Sequence, residues 1–364
     1  MKASSPFESF QRNLSFLSPQ AWLGIHHALR KQIPNSDYVF HMMSLWLKHI
    51  LIPFLILTSV TCTPFNSSST RFLKCGKRAA LATFVSPMAI SQTVEVLPSV
   101  KTIVDRLRLW KLFRKEAESD AIEALSNAIS SNLALRTSSC DIYFPSETKS
   151  DDKQKAMLFI PGLCVDHTAY ASIASRMASE GNIIVAVLSL EPFRLADEHF
   201  VDLKELRKCM QTVTNLWNDR NGSKNSSLDW SIGGHSYGAY AAMRLAPDLA
   251  TYLKKSAIDK IKTVMWAAGN REEFMTDLSQ RDDIDAIVLL GSNDSICSLN
   301  EDSKRYLQSC LPCYTCLEYI NGANHDNFAS YHCQSDTIQI SRLEQQKQVS
   351  RKTIGFLFDH SYHP

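Results

Sequence analysis

The residues best suited to chemistry lie in one short motif in the second half of the chain, Gly234-His235-Ser236-Tyr237-Gly238. The motif has the form G-x-S-x-G, and it follows a predicted strand and opens a predicted helix. This setting exposes the serine hydroxyl beside a helix N-terminus, where backbone N–H groups favour negative charge. Side chains at Gly234 and Gly238 would collide with neighbouring elements. The motif therefore predicts that Ser236 is a nucleophile.

A serine hydroxyl is a weak nucleophile, so it needs a base, and the base needs a carboxylate to orient it. Asp294 follows the predicted strand 284–290, and His325 follows the predicted strand 315–320. The order Ser, Asp, His suits a nucleophile on a strand-to-helix turn. Parallel strands also bring their carboxyl ends to one edge of a sheet. We therefore predict a catalytic triad of Ser236, Asp294 and His325.

Other acids and histidines fit less well. Asp302 is an alternative acid, although it would lie inside the next predicted helix, and Asp326 is expected to point away from His325. His235 is expected to pack beneath the motif rather than to act as the base. Five histidines have no matching strand end and are expected in loops or at the surface: His167, His199, His332, His360 and His363.

Acyl transfer also needs two N–H donors aimed at the oxygen that becomes negatively charged. One is predicted to be the backbone N–H of Tyr237, directly after the nucleophile. The second is expected from the loop 160–164, which follows the first strand of this region. Because Gly162 lets the backbone approach closely there, we assign the second donor to Leu163, with Cys164 as the alternative.

Short apolar runs alternate with amphipathic segments from residue 156 onward, which is typical of repeated strand–helix units. Such units predict an α/β fold, a mostly parallel sheet with helices on both faces. Only 15 residues separate Ala268 from Ile284, so no large cap domain is expected there. The predicted strands are 140–144, 156–160, 183–190, 228–232, 261–267, 284–290 and 315–320. Helical apolar spacing runs over residues 100–135. The predicted helices are 121–129, 169–180, 198–217, 237–249 and 338–358.

Residues from about 156 to 357 resemble the α/β-hydrolase superfamily, and more narrowly its compact members related to dienelactone hydrolases. The resemblance is carried by Phe159-Ile160-Pro161-Gly162-Leu163, by Ala169-Tyr170, by the G-x-S-x-G motif and by residues 321–331, NGANHDNFASY. Dienelactone hydrolases have cysteine where this chain has Ser236, so lactone hydrolysis is not implied. The resemblance implies an α/β-hydrolase fold.

The motif, the predicted triad and the resemblance together predict a serine hydrolase. It would cleave a carboxylic ester or related acyl bond through an acyl-enzyme, with no metal or cofactor. Its substrate would be a small-molecule or lipid ester. Two alternatives remain: a binding protein of the same fold without turnover, and a plastid esterase acting on lipids or pigments. Labelling by an active-site serine probe would distinguish the first of these from an enzyme.

Composition excludes several classes of protein. The 364 residues are 45% hydrophobic and 21% charged, with a net charge of +2, as in ordinary globular domains. These values exclude a disordered or collagen-like chain, and the charge gives no reason to expect nucleic acid. The sequence does not indicate an oligomeric state.

The N-terminal third reads as targeting sequence. Residues 1–41 are polar and expected to be disordered, and residues 42–98 contain an apolar run at 50–60 followed by a basic, Ser/Thr-rich stretch without acidic residues. The run is too short to span ~30 Å of hydrocarbon comfortably, but it suits a signal peptide with Lys48 before it. We therefore predict that residues 42–62 associate with a membrane, and that residues 42–80 direct the protein to a plastid or into the secretory route. The alternative to a targeting or anchoring role is that the apolar run forms a partly buried helix. The hydrolase domain is predicted over 99–364.

Ten cysteines show no regular disulfide spacing and are expected to be buried or inert thiols. The run Cys310-x-x-Cys313-x-x-Cys316 could suggest a metal. A structural zinc site, however, takes four ligands, usually as two separated pairs. No metal site is therefore predicted.

Overall fold

The computed structural model describes residues in the last two thirds of the chain. The described residues are 113–146, 153–191, 194–196, 201–222, 227–256, 258, 260–269, 271–313, 315–332 and 338–358. The predicted segments 1–41 and 42–98, including the stretch 42–62, lie outside them. Within the described part, no helix combines the length and the apolar character needed to cross a membrane.

The described residues form one sheet of eight strands. These are β1 (Ala134–Arg136), β2 (Cys140–Tyr143), β3 (Gln154–Ile160), β4 (Ile184–Leu188), β5 (Leu228–His235), β6 (Ile261–Trp266), β7 (Ile284–Gly291) and β8 (Cys316–Ile320). They lie in the order β1-β2-β4-β3-β5-β6-β7-β8. The pairs β1–β2 and β2–β4 are antiparallel, and the other pairs are parallel. The predicted mostly parallel sheet is confirmed.

Helices cover both faces of the sheet. The α-helices in the described part are α1 (Ser119–Ser130), α2 (Ala171–Gly181), α3 (Leu203–Asn221), α4 (Tyr237–Leu253), α5 (Glu301–Ser309) and α6 (Arg342–Phe358). Apolar side chains of α1, α2 and α6 share one core cluster, and those of α3, α4 and α5 share another. Along β3, Met157 and Phe159 face the first cluster, while Leu158 and Ile160 face the second. This alternation is what a strand buried on both faces requires.

The structure departs from the sequence predictions mainly at element ends. Helical spacing predicted as far as residue 135 ends with α1, because the chain turns at Asn132, whose φ is 61°, into the unpredicted edge strand β1. The helix predicted from residue 198 begins at Leu203 instead. Its N-terminus is capped by the Asp202 carboxylate, which accepts the backbone N–H of Glu205 at 2.9 Å.

The connection after β6 is short, as the spacing predicted. In its described part it contains one 3-10 turn, Glu272–Phe274, before the chain enters β7. The carboxyl ends of the parallel strands are therefore not covered by a helical domain inserted at this point.

Candidate active site

The predicted nucleophile lies on a sharp turn between β5 and α4. Ser236 has φ 53° and ψ −121°, a conformation that residues other than glycine rarely adopt. Its N–H donates to the carbonyl of Trp266 at 2.8 Å, which ties the turn to β6. A Cβ atom at Gly234 would overlap the backbone of Gly238, and one at Gly238 would overlap the backbone of Ile160. Both positions therefore require glycine.

The structure brings the three predicted triad residues into one hydrogen-bonded series. His325 Nε2 lies 2.9 Å from Ser236 Oγ, and His325 Nδ1 lies 2.8 Å from Asp294 Oδ2. Both His325 and Asp294 are buried, whereas Ser236 is half-buried. An ionised Asp294 can only accept, so Nδ1 carries the proton and Nε2 faces the serine hydroxyl as an acceptor. The arrangement suits proton transfer from Ser236 to His325.

Backbone groups hold the acid in place. The other carboxylate oxygen of Asp294, Oδ1, accepts the N–H groups of Ile296 at 2.9 Å and Cys297 at 2.6 Å. These two bonds stabilise a buried negative charge that would otherwise have only the imidazole as partner. Asp294 is thus oriented by the loop after β7 itself.

The alternative acids lie elsewhere. Asp302 is in α5, is almost fully exposed and approaches Arg305 at 3.7 Å. Asp326 points away from the imidazole of His325, because its Oδ1 binds Lys115 Nζ and the Tyr331 hydroxyl, each at 2.7 Å.

Two of the five histidines expected in loops or at the surface are described, and neither joins this series. His167 lies between Asp141 and Asp166, at 3.4 and 3.5 Å, and His332 is an exposed neighbour of Glu118. His199, His360 and His363 lie outside the described residues.

The loop after β3 separates the two candidates for the second oxyanion donor. Cys164, with φ 57°, donates its N–H to the carbonyl of Arg194 at 2.8 Å, so this group is already occupied. Gly162 donates its N–H to the Tyr170 hydroxyl at 2.9 Å. Within the described part of the chain, no acceptor faces the N–H of Leu163. Of the two, Leu163 is therefore the one whose N–H remains available for a ligand, and Tyr237 begins α4 beside Ser236.

His235 packs beneath the turn, as expected, and it also links two loops, which sequence reasoning missed. Its Nδ1 lies 2.9 Å from the Tyr170 hydroxyl, and its Nε2 lies 3.0 Å from the backbone carbonyl of His325. The ring stacks on Phe328 at 5.4 Å. Burial, and next the nearby His325 and Lys115, hold the pKa of His235 well below its usual range, so the ring is neutral.

A segment ahead of α1, residues 113–118, runs across the same two loops, and we call it the strap. Lys115 donates its N–H to the carbonyl of Cys164 and accepts the N–H of Asp166, both at 2.9 Å. Glu118 donates its N–H to the carbonyl of Ser330 at 2.9 Å. The strap thus joins the loop after β3 to the loop that carries His325. The helical spacing predicted over 100–135 is wrong at 114–118, because the backbone groups of Lys115 and Glu118 bond to loops distant in the chain instead of to a helical turn.

Seven of the cysteines lie among the described residues. Among the described residues, Cys310, Cys313 and Cys316 do not come together as a ligand set. The ligand-type atoms of Asp294, Cys297 and His325 do lie within 4.8 Å of one another and are close enough to share a cation. The hydrogen bond between Asp294 and His325 already uses two of them, and burial raises the pKa of Cys297 to about 12, so its thiol stays protonated.

Exposed apolar side chains lie on the loops that carry the site. Phe274, in the turn after β6, is 41% exposed, and Ile296, two residues after Asp294, is 44% exposed. The Phe274 ring packs edge-on against Tyr237, with ring centres 5.2 Å apart. Apolar surface is therefore available next to the residue that follows Ser236.

A comparison with family profiles agrees with this architecture. Residues 156–348, just over half of the chain, match the sequence profile of the alpha/beta hydrolase family. No curated protein matches the chain significantly. Similar solved structures include a hyperthermophilic esterase from the archaeon Pyrobaculum calidifontis, with 12% identity over 75% of this chain and 99% of that one and a TM-score of 0.41.

Two further solved structures have similar values. An esterase from the fungus Rhizomucor miehei has 10% identity over 64% of this chain and 87% of that one, with a TM-score of 0.39. The Francisella virulence factor BioJ has 11% identity over 60% of this chain and 80% of that one, with a TM-score of 0.38.

Proposed function

Because this chain belongs to the alpha/beta hydrolase family, we propose that it is a serine hydrolase that cleaves carboxylic esters through an acyl-enzyme. The observation that carries the proposal is the series Ser236 Oγ–His325 Nε2–His325 Nδ1–Asp294, with links of 2.9 and 2.8 Å. A nucleophile, a base and an orienting acid held in this geometry are what acyl transfer needs.

Acylation begins when His325 Nε2 takes the proton of Ser236 while the serine oxygen attacks the acyl carbon. The ring becomes an imidazolium, and the ionised Asp294 beside Nδ1 stabilises its charge. The imidazolium then gives its proton to the departing alcohol. In deacylation, His325 Nε2 takes a proton from water while the water oxygen attacks the acyl carbon. The imidazolium then returns this proton to Ser236 Oγ as the carboxylic acid leaves, which regenerates the serine.

Two backbone N–H groups stabilise the negative oxygen of the tetrahedral intermediate. We assign them to Leu163 and Tyr237, which flank the nucleophile from the loop after β3 and from the start of α4. The positive end of the α4 dipole adds to this stabilisation. Removal of one such donor typically costs a factor of about 10² to 10³ in kcat.

The exposed Phe274 and Ile296 favour an ester with an apolar group rather than a charged one. Their exposure leaves apolar area to be removed from water when a substrate binds, at about 25 cal/mol per Å². With no helical cap inserted after β6, we infer that the site accepts small esters or esters presented at a surface.

Replacement of the nucleophile tests the proposal. Ser236→Ala is expected to abolish both hydrolysis of p-nitrophenyl butyrate and labelling by a fluorophosphonate probe, while the folded state persists. Ser309→Ala, which removes an exposed hydroxyl at the end of α5, is the matched control and should retain both. Turnover by Ser236→Ala at the wild-type rate would show that another group is the nucleophile. A wild-type protein that neither labels nor hydrolyses any ester in a panel would instead be a binding protein of this fold.

A further inference from the structure

Tyr170 and His235 form a buried hydrogen-bonded bridge between the loop after β3 and the backbone of His325. Gly162 N–H lies 2.9 Å from the Tyr170 oxygen, this oxygen lies 2.9 Å from His235 Nδ1, and His235 Nε2 lies 3.0 Å from the His325 carbonyl. All three side-chain hydrogen-bonding atoms are buried. The bridge therefore spans from one side of the serine to the other beneath it.

Only one arrangement of protons satisfies every member of the bridge. The His325 carbonyl can only accept, so His235 Nε2 must carry the ring proton. In the neutral ring, Nδ1 is then an acceptor, and the Tyr170 hydroxyl donates to it. The Tyr170 oxygen is left to accept the N–H of Gly162. Each donor has one acceptor, and the chain has a single direction.

We propose that Tyr170 and His235 are positioning residues of the hydrolase, which hold the backbone of His325 and the Leu163 loop at a fixed separation around Ser236. The proposal rests on the proposed function. Gly162 directly precedes Leu163, so the Tyr170 hydroxyl restrains the residue next to the assigned oxyanion donor. At the other end, His235 restrains the carbonyl of the residue that serves as the base. The two halves of the machinery are thus aligned through one buried pair.

The side chains packed around the His235 imidazole hold it in one position. The His235 ring lies between Phe328, which stacks on it at 5.4 Å, and Tyr170, which meets it edge-on at 5.9 Å. A Cβ atom at Gly162 would lie only 3.1 Å from His235 Nδ1, so the loop approaches the ring closely. Movement of one loop would therefore disturb the other.

The test is Tyr170→Phe, which deletes one oxygen and leaves the ring. It removes the acceptor of the Gly162 N–H and the donor to His235. The matched control is Tyr143→Phe. Tyr143 belongs to the same core cluster, and its buried hydroxyl has no hydrogen-bond partner among the described residues. The two variants lose the same atom from the same core, but only one breaks the bridge.

Steady-state hydrolysis of p-nitrophenyl butyrate is measured per active site, with active sites counted by fluorophosphonate titration, so that misfolded molecules do not contribute. Tyr170→Phe is expected to lower kcat about 10- to 100-fold with KM unchanged within about twofold, because misplaced groups slow the chemical step. Tyr143→Phe is expected to retain the wild-type kcat. If Tyr170→Phe keeps the wild-type kcat per titrated site, or if both variants lose it equally, the positioning role is overturned.

A second measurement separates this role from plain stability. The double variant Tyr170→Phe/His235→Leu is compared with each single variant. Its kcat should be no lower than that of His235→Leu alone, because both substitutions break the same bridge. Additive losses of kcat would contradict the bridge.

An active Ser236→Ala protein would overturn the proposed function. Loss of activity in Ser236→Ala together with full activity in Tyr170→Phe would overturn only the positioning role.

Discussion

The imidazole of His325 is restrained by three separate contacts. Asp294 binds Nδ1 at 2.8 Å, Ser236 lies 2.9 Å from Nε2, and His235 holds the backbone carbonyl at 3.0 Å. Each contact acts on a different atom of the same residue. Ring rotation, ring tautomer and main-chain position are therefore all determined before a substrate arrives, as the proposed role of His325 requires.

Asp294 is the residue whose loss should affect the base most directly. Asp294→Asn presents an amide to Nδ1 and favours the wrong ring tautomer, so kcat should fall about 10³- to 10⁴-fold. The readout is hydrolysis of p-nitrophenyl butyrate per titrated active site. Asp302→Asn, at the exposed alternative acid, serves as the control and should remain fully active. A fully active Asp294→Asn enzyme would remove Asp294 from the triad.

At the scale of elements, the strap connects the two loops that flank Ser236. Its backbone bonds to Cys164, Asp166 and Ser330 are reinforced by Lys115 Nζ, which binds Asp326 at 2.7 Å and lies 4.4 Å from the centre of the Tyr331 ring. Asp326 is buried, so its charge depends on these partners. The strap and the Tyr170–His235 bridge therefore join the same two loops.

Lys115→Met should weaken this junction. The substitution keeps most of the side-chain length but leaves the buried Asp326 with fewer partners, so the free energy of unfolding should fall by about 1–3 kcal/mol. Urea denaturation measures this change. Lys347→Met, at an exposed position of α6, is the matched control and should unfold like the wild type. Equal stability of the two variants would show that the strap is held by its backbone bonds alone.

The elements that could be predicted from the sequence are the strand–helix units, because their apolar residues repeat with a regular period. Parallel strands and their helices carry strong periodic patterns, and the ends of such strands must meet, so Ser236, Asp294 and His325 could be brought together without a structure. The strap could not be predicted, because the bonds of Lys115 to residues 164 and 166 are between backbones and depend on no side-chain pattern. The choice between Leu163 and Cys164 likewise depended on Arg194, whose carbonyl occupies the Cys164 N–H.

At the scale of the whole molecule, loops that follow different strands surround one candidate site. The loop after β3 provides Leu163, β5 leads into Ser236, the connection after β6 provides Phe274, the loop after β7 provides Asp294, and β8 leads to His325. All leave the same edge of the sheet. Gly269 N–H binds the Tyr240 hydroxyl at 3.0 Å, which fixes the start of the connection after β6 against α4. The apolar surface near Ser236 is thus assembled from several parts of the fold.

This surface should discriminate among esters by chain length. Phe274→Ala removes apolar area next to Tyr237, so kcat/KM for p-nitrophenyl hexanoate should fall about 5- to 10-fold, and that for the acetate less than about twofold. The ratio of the two values is the readout. Leu343→Ala, an exposed apolar position on α6, should leave the ratio unchanged. An equal loss for both esters would mean that Phe274 does not contact the acyl chain.

The position of the strap has a consequence for any maturation of this protein. Cleavage that removes residues up to about 112 leaves every described contact of Lys115 and Glu118 in place, whereas a cut a few residues later would remove the link that the strap makes between the loop after β3 and the loop of His325. An N-terminal boundary that keeps the strap therefore lies about 120 residues before Ser236. A recombinant protein shortened in this region should begin before Phe113 if it is to retain the junction.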